Sequence, residues 1–208
     1  MKSRKITNTG TLKNIGKFPS IKTGKIVWFE SHLERDFIYL TEFDKDVIQY
    51  REQPFKVQYL LDGKKLNYFP DFLLERKSKK QVIEIKPQVK VKKDEFVRFS
   101  KIMTNHLAKQ GYEYLVFTDS TIRLQPRLSN IQLLWRYARF SITTKHKIML
   151  YELFCNSAQL SFLEICSFLN QEKEQRELVY ALLFHGYLVT DIEKPITANS
   201  VLSIGDFN

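Results

Sequence analysis

Two cysteines, Cys155 and Cys166, are too few for a disulfide framework and stand at no metal-ligand spacing. The four histidines, His32, His106, His146 and His185, are scattered singly, so no zinc site is expected. Both cysteines read as small buried hydrophobes. Seven glycines and six prolines in 208 residues argue against low complexity and general disorder. No stretch approaches the roughly 20 apolar residues of a membrane span. The opening MKSRKITNTG lacks the apolar core of a signal peptide, and a cytoplasmic protein is expected. Acidic residues are absent from the first 25 positions, which hold seven basic ones and three glycines.

What is present is apolar material and unevenly placed charge. With 43% hydrophobic residues, 16 Phe and 10 Tyr, the chain can bury a core as one large or two small domains. Its net charge of +10 lies wholly in residues 1–125, which carry 25 Lys and Arg against 15 Asp and Glu. Residues 126–208 carry eight of each sign. A basic surface attracts a phosphate backbone by releasing counterions, without reading sequence. Residues 1–25 cannot bury enough apolar surface to offset their ordering, so they are expected to form a flexible basic arm. Lys2, Arg4, Lys5, Lys13, Lys17, Lys22 and Lys25 of this arm are candidate DNA contacts. Lys90, Lys92 and Lys93 further along are candidates too.

Hydrophobic periodicity predicts a helix over 29–42, with Leu33, Phe37 and Leu40 inward and Ser31 and Glu34 at capping-box spacing. Phe55, Val57, Tyr59 and Leu61 mark a half-buried strand, turned back at Asp62-Gly63 into a return strand from about Lys65 to Glu75. Pro70 within that strand marks an edge or a bulge. In Gln81-Val82-Ile83-Glu84-Ile85-Lys86, stopped by Pro87, alternation puts Ile83 and Ile85 on one face and Glu84 and Lys86 on the other. An amphipathic helix over 94–110 (Phe96, Phe99, Met103 and Leu107 inward) and a central strand over 112–118 complete a parallel crossover. A mixed α/β domain over 26–125 follows. Beyond Pro126, helices over 128–140, 147–154, 160–170 and 172–185 and a hairpin of 187–189 with 200–202 have the pattern of a winged helix over 126–208.

Metal-assisted phosphodiester cleavage needs two or three carboxylates for a divalent cation, and a fixed positive group for the nucleophile or the phosphate charge. Magnesium takes oxygen ligands and keeps several waters, so two carboxylates with substrate phosphate suffice. Asp71, twelve residues, then Glu84-Ile85-Lys86 supplies these groups. Glu34 would join from the first helix; Glu30, one turn earlier, is its rival. The bland reading makes Glu84 and Lys86 an exposed ion pair and Glu34 a helix cap.

At these residues the sequence resembles the TnsA family. The resemblance runs through Phe29-Glu30-Ser31-His32-Leu33-Glu34-Arg35-Asp36-Phe37, Glu42-Phe43-Asp44 and Tyr50-Arg51-Glu52-Gln53-Pro54. It continues through Tyr68-Phe69-Pro70-Asp71-Phe72 and Val82-Ile83-Glu84-Ile85-Lys86-Pro87, covering about residues 28–125. The resemblance implies a restriction-endonuclease-like domain followed by a winged-helix domain. It implies a magnesium-dependent endonuclease, with Mn2+ as a substitute, that cuts the non-transferred strands at the 5′ ends of a transposon. Double-stranded DNA, a TnsB-like transposase and a TnsC-like ATPase would be its partners. The family's catalytic positions fall on Glu34, Asp71, Glu84 and Lys86, with Glu34, Asp71 and Glu84 toward metal. A stand-alone restriction-like or junction-resolving nuclease and a non-enzymatic winged-helix DNA-binding protein are the other readings. The neutral 126–208 segment, whose last helix opens Glu172-Lys173-Glu174, is expected to dock protein, leaving DNA to residues 1–125.

Overall fold

A computed structural model describes residues 15–169 and 175–206 of the chain. The chain divides into two compact units, 1–123 and 124–208. No helix among the described residues is long and apolar enough to cross a membrane.

The first unit opens with a hairpin, β1 (Gly16–Pro19) and β2 (Ile26–Phe29), in antiparallel register. Gly16 is required there, because a Cβ would stand 2.1 Å from the Phe29 ring. The arm expected over residues 1–25 therefore gives way to a strand by Gly16; residues 1–14 lie outside the described residues. The hairpin is held by Glu42, which is 1% exposed. Its carboxylate accepts hydrogen bonds from Ser20 Oγ (2.5 Å), Tyr50 Oη (2.6 Å) and the amides of Ile21 and Lys22. A buried carboxylate is tolerable only with such a set of donors.

Helix α1 (His32–Phe43) starts three residues later than periodicity suggests, because Phe29 ends β2 and Ser31 caps the helix. Then β3 (Val47–Glu52) enters a four-stranded sheet of order β3-β6-β7-β8, with β6 (Phe72–Arg76), β7 (Lys80–Ile85) and β8 (Tyr112–Phe117). The β7–β8 pair is parallel and the other two pairs are antiparallel. Strand β8 is thus an edge strand, where its apolar run had suggested a central one. Between β3 and β6, β4 (Val57–Leu61) and β5 (Lys64–Tyr68) form a separate two-stranded ribbon. Asp62 (φ 47°) and Gly63 (φ 74°) make its turn, as the Asp-Gly signal requires. The single return strand expected over 65–75 is two strands, broken at Phe69-Pro70-Asp71.

Both faces of the sheet are covered. On one, Leu73, Val82 and Tyr114 pack with Phe55, Val57 and with Met103 and Leu107 of α3 (Asp94–Ala108). Phe99 points inward as expected, half-buried against this cluster, whereas Phe96 is half-buried outside it. On the other face, Phe37 of α1 meets Phe72 and Phe117 at ring distances of 5.6 and 5.0 Å. Two short helices, α2 (Gln88–Val91) and α4 (Asp119–Ile122), follow β7 and β8.

The second unit has α5 (Arg127–Arg136), α6 (Thr144–Phe154), α7 (Phe162–Phe168) and α8 (Gln175–His185). Short strands β9 (Leu160–Ser161), β10 (Leu188–Val189) and β11 (Val201–Ile204) form an antiparallel sheet of order β10-β11-β9. Residues 170–174, including the acidic start expected for the last helix, lie outside the described residues. Leu134, Leu150, Ile165, Leu182, Leu188 and Leu202 are fully buried in this unit. Cys166 is buried as expected, but Cys155 is exposed at the C-cap of α6.

Candidate active site

The site forms where β6 and β7 meet the break at Pro70. Leu73 stands opposite Val82 in the antiparallel register. Two residues on along each strand are Asp71 and Glu84, so side-chain alternation brings them to the same face, that of α3. Asp71 stands just before β6, and its amide donates to the Ile83 carbonyl at 3.1 Å, one residue off the register of the strand pair. Asp71 Oδ2 in turn accepts from the Ile85 amide at 2.6 Å. Like charges brought together across a strand pair are destabilising, and the Glu84 charge is felt at Asp71. This pair is therefore held against its own repulsion.

Glu84 is 2% exposed, with both carboxylate oxygens engaged. Lys86 Nζ lies 2.5 Å from Oε1, and the Tyr68 hydroxyl donates to Oε2. Burial, followed by the Glu84 charge, pushes the Tyr68 hydroxyl far above its ordinary range, which keeps it a donor. Glu84 and Lys86 are thus no solvated pair on a polar sheet face, because β7 is buried on both sides. Withdrawal from water raises the Asp71 carboxyl well above its usual range, and Glu84 and Glu34 raise it further. Lys86 and the Ile85 amide oppose that shift without cancelling it. Burial works against the charge of Lys86, but Glu84, Asp71 and Glu34 together hold its pKa above the ordinary value.

Glu34 is within electrostatic reach of this group but is occupied in its own helix. The Ser31 hydroxyl donates to Oε1 and the Glu30 amide to Oε2, both at 2.8 Å, while the Glu34 amide donates back to Ser31. Burial raises the Glu34 carboxyl, whereas these hydrogen bonds lower it. Among the described residues, no group of three or more His, Cys, Asp or Glu could hold a metal ion. Glu34, Asp71 and Glu84 do not form such a group, and both oxygens of Glu34 are engaged at the helix cap. Glu30 also looks elsewhere: its Oε1 accepts from Gln53 Nε2 at 3.0 Å. Gln53, at the unusual φ of 37°, donates its amide to the Asp71 carbonyl. Sequence reasoning missed Tyr68 and Gln53. Both lie inside the motifs that flank Asp71, which was the available signal.

The basic candidates separate. Lys90 and Lys93 line the same cleft as Asp71, Glu84 and Lys86. Lys92 and Lys25 are exposed, and Lys17 sits over the Trp28 ring at 4.8 Å. Lys22 differs from its expected role in a flexible arm. Its ammonium donates to the Asp44 and Val47 carbonyls, and burial lowers its pKa. Lys2, Arg4, Lys5 and Lys13 lie outside the described residues.

Residues 44–119 match the family model of the TnsA-like endonuclease N-terminal domain. Over this stretch the chain is similar to TnsA-like endonucleases, which supports a TnsA family assignment. The matched stretch contains Asp71, Glu84 and Lys86, and the mixed sheet with flanking helices fits a restriction-endonuclease-like fold. The family carries a nuclease role in transposition, with DNA as substrate and a transposition complex as its setting. No curated protein matches the chain.

Proposed function

We propose that the chain is a magnesium-dependent DNA endonuclease that cuts the non-transferred strands at the 5′ ends of a transposon. It would act with a TnsB-like transposase and under a TnsC-like ATPase. The observation that carries this reading is the cross-strand pair Asp71 and Glu84 with Lys86 against it, inside the segment that matches a TnsA-like endonuclease. The donor set suits a hard divalent cation. Two carboxylates lie on one sheet face with one ammonium as counter-charge, and the Asp71 carboxyl is left in an excess of negative charge that a cation would relieve. Asp71 and Glu84 would hold magnesium or manganese, which when bound supplies Lewis-acid activation of water and neutralises phosphate charge.

The chain's own residues have separable parts. Lys86 offers an ammonium to the charge that develops on the phosphate oxygens. Tyr68 orients the Glu84 carboxylate, the Ile85 amide orients that of Asp71, and Gln53 fixes the backbone beneath Asp71. Glu34 polarises the group from the start of α1 while capping that helix. The C-terminal unit, read as a winged helix with balanced charge, would dock a protein of the complex.

The test is strand cleavage of a plasmid carrying transposon ends, with magnesium, with and without a TnsB-like transposase and a TnsC-like ATPase. Cutting at the 5′ ends should need those partners and vanish with Asp71→Ala. Indiscriminate cutting by the purified chain would make it a stand-alone nuclease. Full cleavage by Asp71→Ala would remove the site assignment.

A further inference from the structure

The cleft that holds Asp71, Glu84 and Lys86 extends beyond what cleavage chemistry requires. It encloses about 400 Å³ and is also lined by Tyr59, Phe96, Phe99, Lys90 and Lys93. Phe99 anchors this wall, packing against the α3 core and meeting Tyr59 edge-on at 5.6 Å and 67°. Phe96 lies 5.8 Å from Phe99 and outside that core cluster. Closing α3 onto the sheet does not account for it, since Met103 and Leu107 already do so at 0% exposure. Tyr59 and Phe96 remain half-buried aromatic surfaces beside a phosphodiester-cutting group.

We propose that this cleft takes one unstacked nucleotide of the substrate strand. Its base would stack on Phe96 and Tyr59, and its phosphate would lie toward Lys86, Lys90 and Lys93. The proposal rests on the nuclease reading of Asp71, Glu84 and Lys86, and adds that the strand is cut where it leaves the duplex. Size supports a single nucleotide, because the cleft falls within the roughly 300–1,000 Å³ of small-ligand pockets. A duplex, whose major groove alone is about 12 Å wide, does not enter it. Chemistry supports it as well. Aromatic faces accept any base, and lysines bind its phosphate regardless of sequence. Glu95 is the one acidic group in the lining outside the catalytic pair.

The experiment uses the full chain in EDTA, so that no cutting occurs and the outcome is independent of catalysis. Oligonucleotides carrying 5-iododeoxyuridine, either single-stranded or within a continuous duplex, are irradiated with the protein, and adducts are mapped by mass spectrometry. Adducts on Tyr59 or Phe96 are expected from the single strand and not from the duplex interior. Phe96→Ala and Tyr59→Ala should each weaken single-strand binding about tenfold while leaving duplex binding unchanged. Phe96→Trp should retain it, and calorimetry confirms that each variant is folded. Adducts confined to other residues, or equal losses for both DNA forms, overturn the proposal. Loss of cleavage in Asp71→Ala alongside either of those results would retain the nuclease and remove the base pocket.

Discussion

Replacing Asp71 by Asn should stabilise the nuclease unit while abolishing cleavage, because the native carboxylate is held in an unfavourable place for the sake of chemistry. Asparagine keeps the oxygen that accepts from the Ile85 amide, a contact of 2.6 Å, so the local backbone loses nothing. What changes is charge. Asp71 faces two carboxylates, Glu84 and Glu34, and one ammonium, Lys86. At about 5 Å and an effective dielectric of 20, one unlike or like pair contributes about 3 kcal/mol. Two repulsions against one attraction leave about one repulsion uncompensated, and solvent at this half-buried position reduces it. A gain of about 1–3 kcal/mol follows, or about 4–12 °C in melting temperature for a unit of this size. Scanning calorimetry in magnesium-free, low-salt buffer reads the shift, and it resolves the two units if they melt separately. An Asn variant equal to or less stable than the native protein would refute the reasoning. It would mean that Asp71 is satisfied as it stands and needs no cation.

Magnesium should raise the melting temperature of the native chain and leave Asp71→Asn unmoved; at ten times the dissociation constant the stabilisation is about 1.4 kcal/mol. Glu34→Gln should depress cleavage strongly with a stability loss of about 0.5–1 kcal/mol, because glutamine keeps one of the two capping acceptor contacts. Glu30→Gln, which still accepts from Gln53, should be mild in the same cleavage assay, and the reverse ranking would transfer the helix role to Glu30. Tyr68→Phe removes a donor to a buried carboxylate and should lower stability by about 1.5–3 kcal/mol in a urea melt. Its cleavage should fall as well, whereas unchanged activity would show that Glu84 needs no orientation.

How far these features could be read in advance depended on whether their causes are local. Strand β7 was legible because Pro87 stops it and its alternation is regular, so the shared face of Glu84 and Lys86 followed. Strand β3 was not, because a register shift between Val47 and Gln49 breaks the alternation and turns Ile48 outward. The β1–β2 hairpin was hidden for another reason. Its polar groups are satisfied by Glu42 and its lysine by carbonyls of residues 44 and 47, some twenty positions away. A basic, glycine-containing segment carries no sign of such a partner. The Asp71–Glu84 pairing was half legible. Spacing suggested two strands, but the approach of the two carboxylates depends on the break at Pro70, which releases β5 into its own ribbon and leaves Asp71 just ahead of β6.

Glu34 shows why the bland and the chemical readings of one residue need not exclude each other. Capping needs a carboxylate at the third position of α1, pointing back to the start of the helix. The start of α1 follows directly on β2, and Gln53 ties Glu30, one residue before the cap, to the backbone of Asp71. The cap therefore delivers a negative group to the edge of the site with its rotamer already fixed by Ser31 and the Glu30 amide. A residue fixed in this way loses no side-chain freedom when substrate arrives. Because its charge raises the Asp71 carboxyl, it also adds to the local demand for a cation. That coupling separates the two readings. If Glu34 is only a cap, Glu34→Gln leaves the magnesium-induced stabilisation of the native site intact. If it belongs to the site electrostatically, the same change weakens that stabilisation.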